Sequence, residues 1–127
     1  MAMPPGGHPP RFERLCEEAR TRIREIDATE ASRLARETGS VLVDVREESE
    51  WAAGHAKGAI HLSKGVIERD VEARIPDLDA QILCYCGGGY RSALVVDALQ
   101  RMGYRNAWSV AGGWRAWTAS GLPVVSG

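Results

Sequence analysis

The chain has 127 residues, and its 16 basic and 17 acidic side chains give a formal net charge of −1. This length suits a single domain with a modest core. The balance of charge gives no indication that the protein captures nucleic acid or an anionic membrane surface. No stretch is long and apolar enough to predict a membrane-spanning helix, and an odd number of cysteines, three, argues against a disulfide framework. We therefore expect a cytoplasmic, reducing location.

The N-terminal region predicts a leader followed by a helix. Residues 1–10 are rich in proline and glycine, lack the apolar run of a secretory signal, and predict a disordered leader. A helix is predicted over residues 12–26, where apolar side chains recur at three- and four-residue spacing. These side chains are Leu15, Ala19, Ile23 and Ile26.

Helices and strands are predicted to alternate along the rest of the chain. Helices are predicted over residues 29–38, 47–53, 66–74, 92–102 and 114–120, and strands over residues 41–45, 58–62, 81–85 and 107–110. The short β-branched run at 41–45 is typical of a strand buried on both faces of a parallel sheet. The alternation predicts the α/β class with a mainly parallel sheet, in which ligands bind outside the carboxyl ends of the strands.

The segment that follows the strand at 81–85 carries the clearest chemical signal. Cys86 stands at the end of this strand and is followed by Gly87, Gly88, Gly89, Tyr90, Arg91 and Ser92. Glycines let the backbone curl with its N–H groups facing inward, and the start of the next helix adds unpaired N–H groups and the positive end of its dipole. A sulfur anion is stabilised in such surroundings. Cys86 is therefore predicted to be a nucleophile, and residues 87–92 its anion-binding loop.

Four segments of the chain resemble signatures of the rhodanese family. They are Asp44-Val45-Arg46-Glu47 with Glu50-Trp51, the segment Gly54-His55-Ala56-Lys57-Gly58-Ala59-Ile60, residues 86–92, and Gly112-Gly113-Trp114-Arg115-Ala116-Trp117 with Gly121-Leu122-Pro123-Val124. The resemblance implies a central five-stranded, mainly parallel sheet flanked by helices on both faces. It covers residues 24–125, so the chain is expected to comprise the leader (1–10), a helical extension (11–23) and a rhodanese domain (24–125).

The resemblance also implies a sulfurtransferase that works by two displacements. The Cys86 thiolate would take the outer sulfur of thiosulfate or of another persulfide, and would then pass it to cyanide or to a thiol. Main-chain N–H groups suffice to hold both anions, so no metal or cofactor is expected. The expected partners are a small-molecule sulfur donor and acceptor, or a protein persulfide or thiol, with no nucleic acid and no membrane. The oligomeric state is left open.

Two other functions would use the same features. Cysteine phosphatases and the related arsenate reductases have a loop one residue longer than the four residues that separate Cys86 from Arg91 here, so the spacing favours the sulfurtransferase. A non-catalytic or redox-sensing binding module of the same fold is the other alternative. The sulfurtransferase interpretation requires that the sulfur of Cys86 be open to solvent.

Several residues near Cys86 allow more than one role. Arg91 either attracts an anionic donor or pairs with a structural carboxylate. Asp44 and Arg46 follow a neighbouring strand, and a structural hydrogen-bonding role is at least as much expected for them as a catalytic one. Cys84 points to the same face as Cys86, and core packing is favoured over a resolving or metal-binding role.

The remaining chemically notable side chains are predicted to be structural. Cys16 is interpreted as a partly buried apolar residue. His55 is interpreted as a scaffold residue, because a thiolate already formed at neutral pH needs no general base, and His61 has no motif support. The four tryptophans are predicted to pack helices and strands together. They are Trp51, Trp108, Trp114 and Trp117.

Overall fold

The computed structural model describes residues 7–126, so most of the predicted leader lies outside the described residues. The helices are α1 (Pro10–Arg20), α2 (Ala28–Glu37), α3 (Glu48–Ala53), α4 (Ile67–Arg74), α5 (Arg91–Arg101) and α6 (Gly113–Ala119). The strands are β1 (Arg24–Ile26), β2 (Val41–Asp44), β3 (Gly54–Ala56), β4 (Ile60–His61), β5 (Ile82–Tyr85), β6 (Ala107–Val110) and β7 (Val124–Ser126). No helix in this described part is long and apolar enough to cross a membrane.

A parallel sheet of five strands forms the centre of the fold. Its strand order is β1-β6-β5-β2-β4, and every neighbouring pair is parallel. A separate two-stranded sheet pairs β3 with β7 in antiparallel register. The predicted α/β class and the five-stranded parallel sheet are therefore confirmed. Because β5 lies in the middle of the sheet, the segment that follows it emerges at the centre of the carboxyl edge.

Each face of the sheet carries its own apolar cluster, as expected when successive strand side chains alternate. On one face, Val43 and Cys84 pack with buried residues of α4 and α5. On the other face, Leu42 and Leu83 pack with buried residues of α2 and α6. Helices thus cover both faces, which buries the strands on two sides and explains why they read as continuous apolar runs.

The prediction of a helix over residues 12–26 is wrong beyond Arg20, where α1 ends. The chain turns after α1, and Arg24–Ile26 forms an edge strand that pairs with β6 in parallel register. Ile23 packs against the cluster that contains α5, whereas Ile26 packs against the cluster that contains α2. Their spacing suggested one face of a helix, but they serve opposite faces of the sheet, and strand pairing overrides the local pattern.

Helix α1 begins earlier than predicted, at Pro10, inside the stretch expected to be disordered. Proline suits the first turn of a helix because its fixed φ matches the helix and its missing N–H would have no partner there. Leu15 is 52% exposed, so it does not contribute to the buried face of this helix. That face contains Cys16 and Ala19, which are fully buried, so Cys16 is more enclosed than predicted.

Candidate active site

The predicted active-site loop connects the central strand to the start of a helix, as the sequence indicated. All four residues of β5 are buried, and this strand ends at Tyr85. Cys86 follows directly, and α5 begins at Arg91. The loop therefore lies at the carboxyl edge of the sheet and at the N-terminus of an 11-residue helix, where main-chain N–H groups lack partners within the helix.

The sulfur of Cys86 contacts two groups of this loop. The N–H of Gly89 donates a hydrogen bond to Sγ over 3.1 Å, and Sγ lies 3.5 Å from the hydroxyl oxygen of Ser92. Gly89 has a φ of +94°, a left-handed conformation that favours glycine. This conformation aims its N–H at the sulfur, so a sulfur anion at this position has a charge-assisted donor already in place.

A buried pair of hydroxyl groups lies behind the sulfur. The Oγ of Ser92 is 2.8 Å from the Oγ of Ser109 on β6, and both residues are fully buried. Once Cys86 is a thiolate, the Ser92 hydroxyl can donate to Sγ while the Ser109 hydroxyl donates to Ser92. Sequence reasoning missed Ser109, because one serine in a short apolar strand carries no local signal of function.

The Cys86 side chain is almost enclosed. The residue is 1% exposed, while Gly87 and Gly88 beside it are partly exposed. A cavity of about 250 Å³ lies on the α3 side of the loop, but Cys86 does not line it. This conformation therefore does not meet the requirement of an open sulfur.

The loop rests on the N-terminus of α6. Trp114 N–H donates to the carbonyl of Cys86 over 2.7 Å, and Arg115 N–H donates to the carbonyl of Gly87 over 3.1 Å. This approach requires glycine at position 113, where a Cβ would lie only 2.2 Å from the Cys86 carbonyl oxygen. The C-terminal motif, which the sequence marked only by resemblance, thus supports the active-site loop.

Arg91 pairs with a carboxylate of α3. Its guanidinium donates two hydrogen bonds to Glu50, over 2.7 and 3.1 Å. The Arg91 guanidinium holds the pKa of the Glu50 carboxyl below its ordinary value. Of the two predicted roles for Arg91, the structure therefore supports the structural one, in which the ion pair ties the start of α5 to α3.

Asp44 and Arg46 form a buried ion pair that connects three strands. The Arg46 guanidinium lies 2.8 Å from an oxygen of Asp44, and it also donates to the carbonyl of Gly54 over 2.6 Å. The hydroxyl of Tyr85 donates to Asp44 over 2.6 Å and accepts the N–H of Ala56. Burial and the hydrogen bond to Asp44 raise the pKa of Tyr85. These contacts support the structural role expected for the pair.

The other candidate side chains also serve the scaffold. Cys84 is fully buried in the core, and burial raises its pKa to about 12, so its thiol stays protonated at physiological pH. The ring of His55 stacks on Trp51 and contacts its carbonyl oxygen, while His61 contacts the carbonyl oxygen of Arg46. Within residues 7–126, no three His, Cys, Asp or Glu side chains lie together as metal ligands would.

Three tryptophans pack in the core as predicted, whereas the ring of Trp51 on α3 stacks on the rings of His55 and His61. Trp117 is buried against the sheet, where its ring lies parallel to that of Tyr85. Trp114 packs beside it and also lies 4.6 Å from the Arg46 guanidinium. Trp108 on β6 packs against the same cluster, and the guanidinium of Arg24 covers its ring. Trp114 and Trp117 thus pack α6, which supports the loop, against the sheet.

Comparison of the sequence with known proteins identifies a matching family and similar proteins. A sequence model of the Rhodanese-like domain family matches residues 27–120. The thiosulfate sulfurtransferase GlpE of Haemophilus influenzae is 35% identical over 86 residues, which cover 68% of this chain and 80% of that protein. The protein of the same name from Pseudomonas putida is 34% identical over 98 residues, which cover 77% and 87% respectively.

One solved structure resembles nearly the whole chain. It comes from Rhodopseudomonas palustris and is described as a protein of unknown function and possible tyrosine phosphatase. It superposes with a TM-score of 0.79 and 26% identity, over 98% of this chain and 100% of that one. The resemblance to this structure therefore includes the region of α1, which precedes the residues that the family model matches.

Proposed function

Because the chain belongs to the rhodanese-like domain family, we propose that it is a sulfurtransferase in which Cys86 carries a sulfane sulfur as a persulfide. The sulfurtransferase class is supported by relatives that are named thiosulfate sulfurtransferase and are about a third identical. The observation that carries the assignment to Cys86 is the hydrogen bond of 3.1 Å from Gly89 N–H to its sulfur, at the end of the central strand.

The first displacement loads the sulfur. The Cys86 thiolate attacks the outer sulfur of thiosulfate, a bond forms between the two sulfur atoms, and the bond to the sulfonate sulfur breaks. Sulfite leaves with the electron pair of that bond, and Cys86 becomes the persulfide Cys–S–S⁻. No proton is transferred in this step, because the attacking species is the thiolate and sulfite leaves as a dianion.

The second displacement unloads the sulfur. A thiophilic acceptor attacks the outer sulfur of the persulfide, and the Cys86 thiolate leaves with the electron pair of the sulfur–sulfur bond. Cyanide gives thiocyanate, and a thiolate gives a new persulfide. The hydrogen bond from the Gly89 N–H assists this step because it stabilises the thiolate that departs.

The enclosed sulfur places a condition on the substrate. Cys86 is 1% exposed, and the flanking residues Gly87 and Gly88 have no side chains and high conformational freedom. A donor that reaches Sγ by displacing this short segment is narrow at its reactive end, as thiosulfate or the terminal sulfur of a persulfide is. The physiological donor and acceptor, whether small molecules or protein thiols, and the cytoplasmic location stay predictions from the sequence.

Two rival functions have an observation in their favour. The description of the Rhodopseudomonas palustris structure as a possible tyrosine phosphatase brings phosphatase chemistry into consideration. The pairing of Arg91 with Glu50 argues against it, because this guanidinium is not free to grip the oxygens of a phosphate. The enclosure of Cys86 favours the second rival, a binding or redox-sensing module without turnover.

A turnover assay with matched cysteine variants separates these functions. Thiosulfate and cyanide are supplied, and thiocyanate is measured for the wild type, Cys86→Ser and Cys84→Ala. The proposal expects thiocyanate from the wild type and from Cys84→Ala, and none above background from Cys86→Ser. Hydrolysis of an aryl phosphate in place of thiocyanate formation would support a phosphatase. Inactivity in both assays, and with other sulfane donors, would support the binding module.

A further inference from the structure

Helix α1 contacts the active-site loop at Gly89, whose N–H donates a hydrogen bond to the Cys86 sulfur, and at the next residue, Tyr90. The guanidinium of Arg20 donates to the carbonyl of Gly89 over 3.1 Å. The sulfur of Cys16 lies 3.6 Å from the carbonyl oxygen of Tyr90. One face of α1 therefore holds two successive carbonyl groups of the loop, although the family match begins only at residue 27.

The ring of Tyr90 is held by the same N-terminal segment. The Arg20 guanidinium carbon lies 4.4 Å from the centre of this ring, within the range of a cation–π contact. The rings of His8 and Phe12 lie 4.1 and 6.2 Å from it, measured between centroids. Tyr90 thus contacts side chains from both ends of α1, and the residue after Gly89 has little freedom to turn.

These contacts matter because a glycine has no side chain whose packing would restrict its backbone conformation. Gly87, Gly88 and Gly89 can each adopt many backbone conformations, and the conformation in this structure points the Gly89 N–H at the sulfur of Cys86. The carbonyl and the N–H of Gly89 lie in adjacent peptide planes that meet at its Cα. Arg20 contacts both this carbonyl and the ring of Tyr90, so it holds the backbone that follows the Gly89 Cα and narrows the directions that the N–H can take.

We propose that α1 is a working part of the active site, in which Arg20 is a positioning residue that aims the Gly89 N–H at the Cys86 sulfur. The proposal rests on the proposed function, since it concerns the rate of sulfur transfer. Removal of a complete donor from an oxyanion hole lowers kcat by about 10²–10³. Arg20 acts through the donor rather than being the donor, so its loss should lower kcat by about tenfold.

The test compares three variants of the full chain. Arg20→Met removes the charge, the two contacts with the loop and an ion pair with Glu25, whose carboxylate lies 3.8 Å from the guanidinium. Arg20→Lys keeps the charge and can still donate to Gly89. Arg14→Met is a matched control on an exposed position of the same helix. Each is assayed for kcat and KM with thiosulfate, and hydrogen exchange of the Gly89 amide is followed by NMR. The exchange rate reports the hydrogen bond to the sulfur directly.

The proposal expects a selective defect. Arg20→Met should lose about tenfold in kcat with KM changed by less than about twofold, and its Gly89 amide should exchange faster. Arg20→Lys should recover most of both properties, and Arg14→Met should match the wild type. If Arg20→Met does not fold, Tyr90→Leu removes the same cation–π contact from the side of the loop and replaces it in the test.

Two results would overturn the proposal. One is a kcat of Arg20→Met within about twofold of the wild type. The other is an unchanged exchange rate at Gly89, which would assign any loss of activity to another cause. A wild type that transfers no sulfur would refute the proposed function instead. The exchange rates would still decide in that case whether α1 holds the loop.

Discussion

Replacement of Gly113 by alanine tests whether α6 is the platform on which the active-site loop rests. The new Cβ would lie 2.2 Å from the Cys86 carbonyl oxygen, whereas ordinary contacts begin near 3.4 Å. The loop must therefore retreat by about 1 Å, and the hydrogen bond of 2.7 Å from Trp114 N–H to that oxygen is stretched or lost. Gly113 also has a φ of +49°, which an alanine adopts with strain.

The energetic cost follows from these two effects. A left-handed alanine costs about 1–2 kcal/mol. Leaving a buried carbonyl of Cys86 without its partner costs a further 1–3 kcal/mol, approximately. Gly121→Ala is a matched control, because Gly121 has a similar φ of +67° but nothing within 4 Å of the new Cβ. The control isolates the strain, so we expect Gly113→Ala to lose about 2–5 kcal/mol and Gly121→Ala about 1–2 kcal/mol.

Urea unfolding followed by tryptophan fluorescence measures these losses, and thiocyanate formation measures activity. A misplacement of about 1 Å at a reacting group costs about 100-fold in rate, so Gly113→Ala should be nearly inactive under folded conditions. Gly121→Ala should keep the activity of the wild type. If the two variants were equally stable and equally active, the proposed support of the loop by α6 would be wrong.

Three further perturbations test the surroundings of the loop. Arg91→Met and Glu50→Gln should destabilise the protein to a similar extent, because each removes one partner of the same ion pair. Both should leave KM for thiosulfate within about twofold of the wild type. A KM that rises by more than about tenfold only in Arg91→Met would show instead that the guanidinium binds thiosulfate. Asp97 accepts hydrogen bonds from Arg22 and Arg101, and the bond from the Arg22 guanidinium holds the pKa of the Asp97 carboxyl below the ordinary 3.8. Its stabilising effect is therefore complete above about pH 4 and lost as the pH falls further, so Asp97→Asn should flatten the acid dependence of the urea midpoint, and an unchanged dependence would count against this. Ser109→Ala removes the hydroxyl behind Ser92 and should slow single-turnover sulfur loading by about three- to tenfold, whereas a rate equal to that of the wild type would exclude the hydroxyl pair from the reaction.

Much of the site could be predicted from sequence because its signals are local. A short apolar run predicts the buried strand β5, and the cysteine and glycines that follow predict a turn with inward N–H groups. Helix periodicity then places α5 directly after the loop. These signals lie within about twenty successive residues, so they need no knowledge of tertiary contacts.

The features that escaped prediction depend on contacts between distant segments. Strands β1, β3 and β7 have three residues each, too few for alternation to be visible, and they are defined by their partners. The pairing of Arg91 with Glu50 spans 41 positions, and that of Arg20 with Gly89 spans 69. The local sequence shows that the two arginine side chains are charged but does not indicate which distant groups they contact.

The central claim is that one sulfur atom passes from donor to Cys86, and isotope labelling tests it most directly. Thiosulfate carrying a heavy isotope at its outer sulfur alone is incubated with the protein, and the mass of the intact chain and of the peptide containing Cys86 is then measured. Because Cys84 lies on the same peptide, fragmentation of that peptide then locates the label. The account predicts a gain of one labelled sulfur, about 34 Da, on Cys86, and its complete loss when cyanide is added. Label on Cys16 or Cys84 instead, or a gain of sulfur from the unlabelled position, would contradict it.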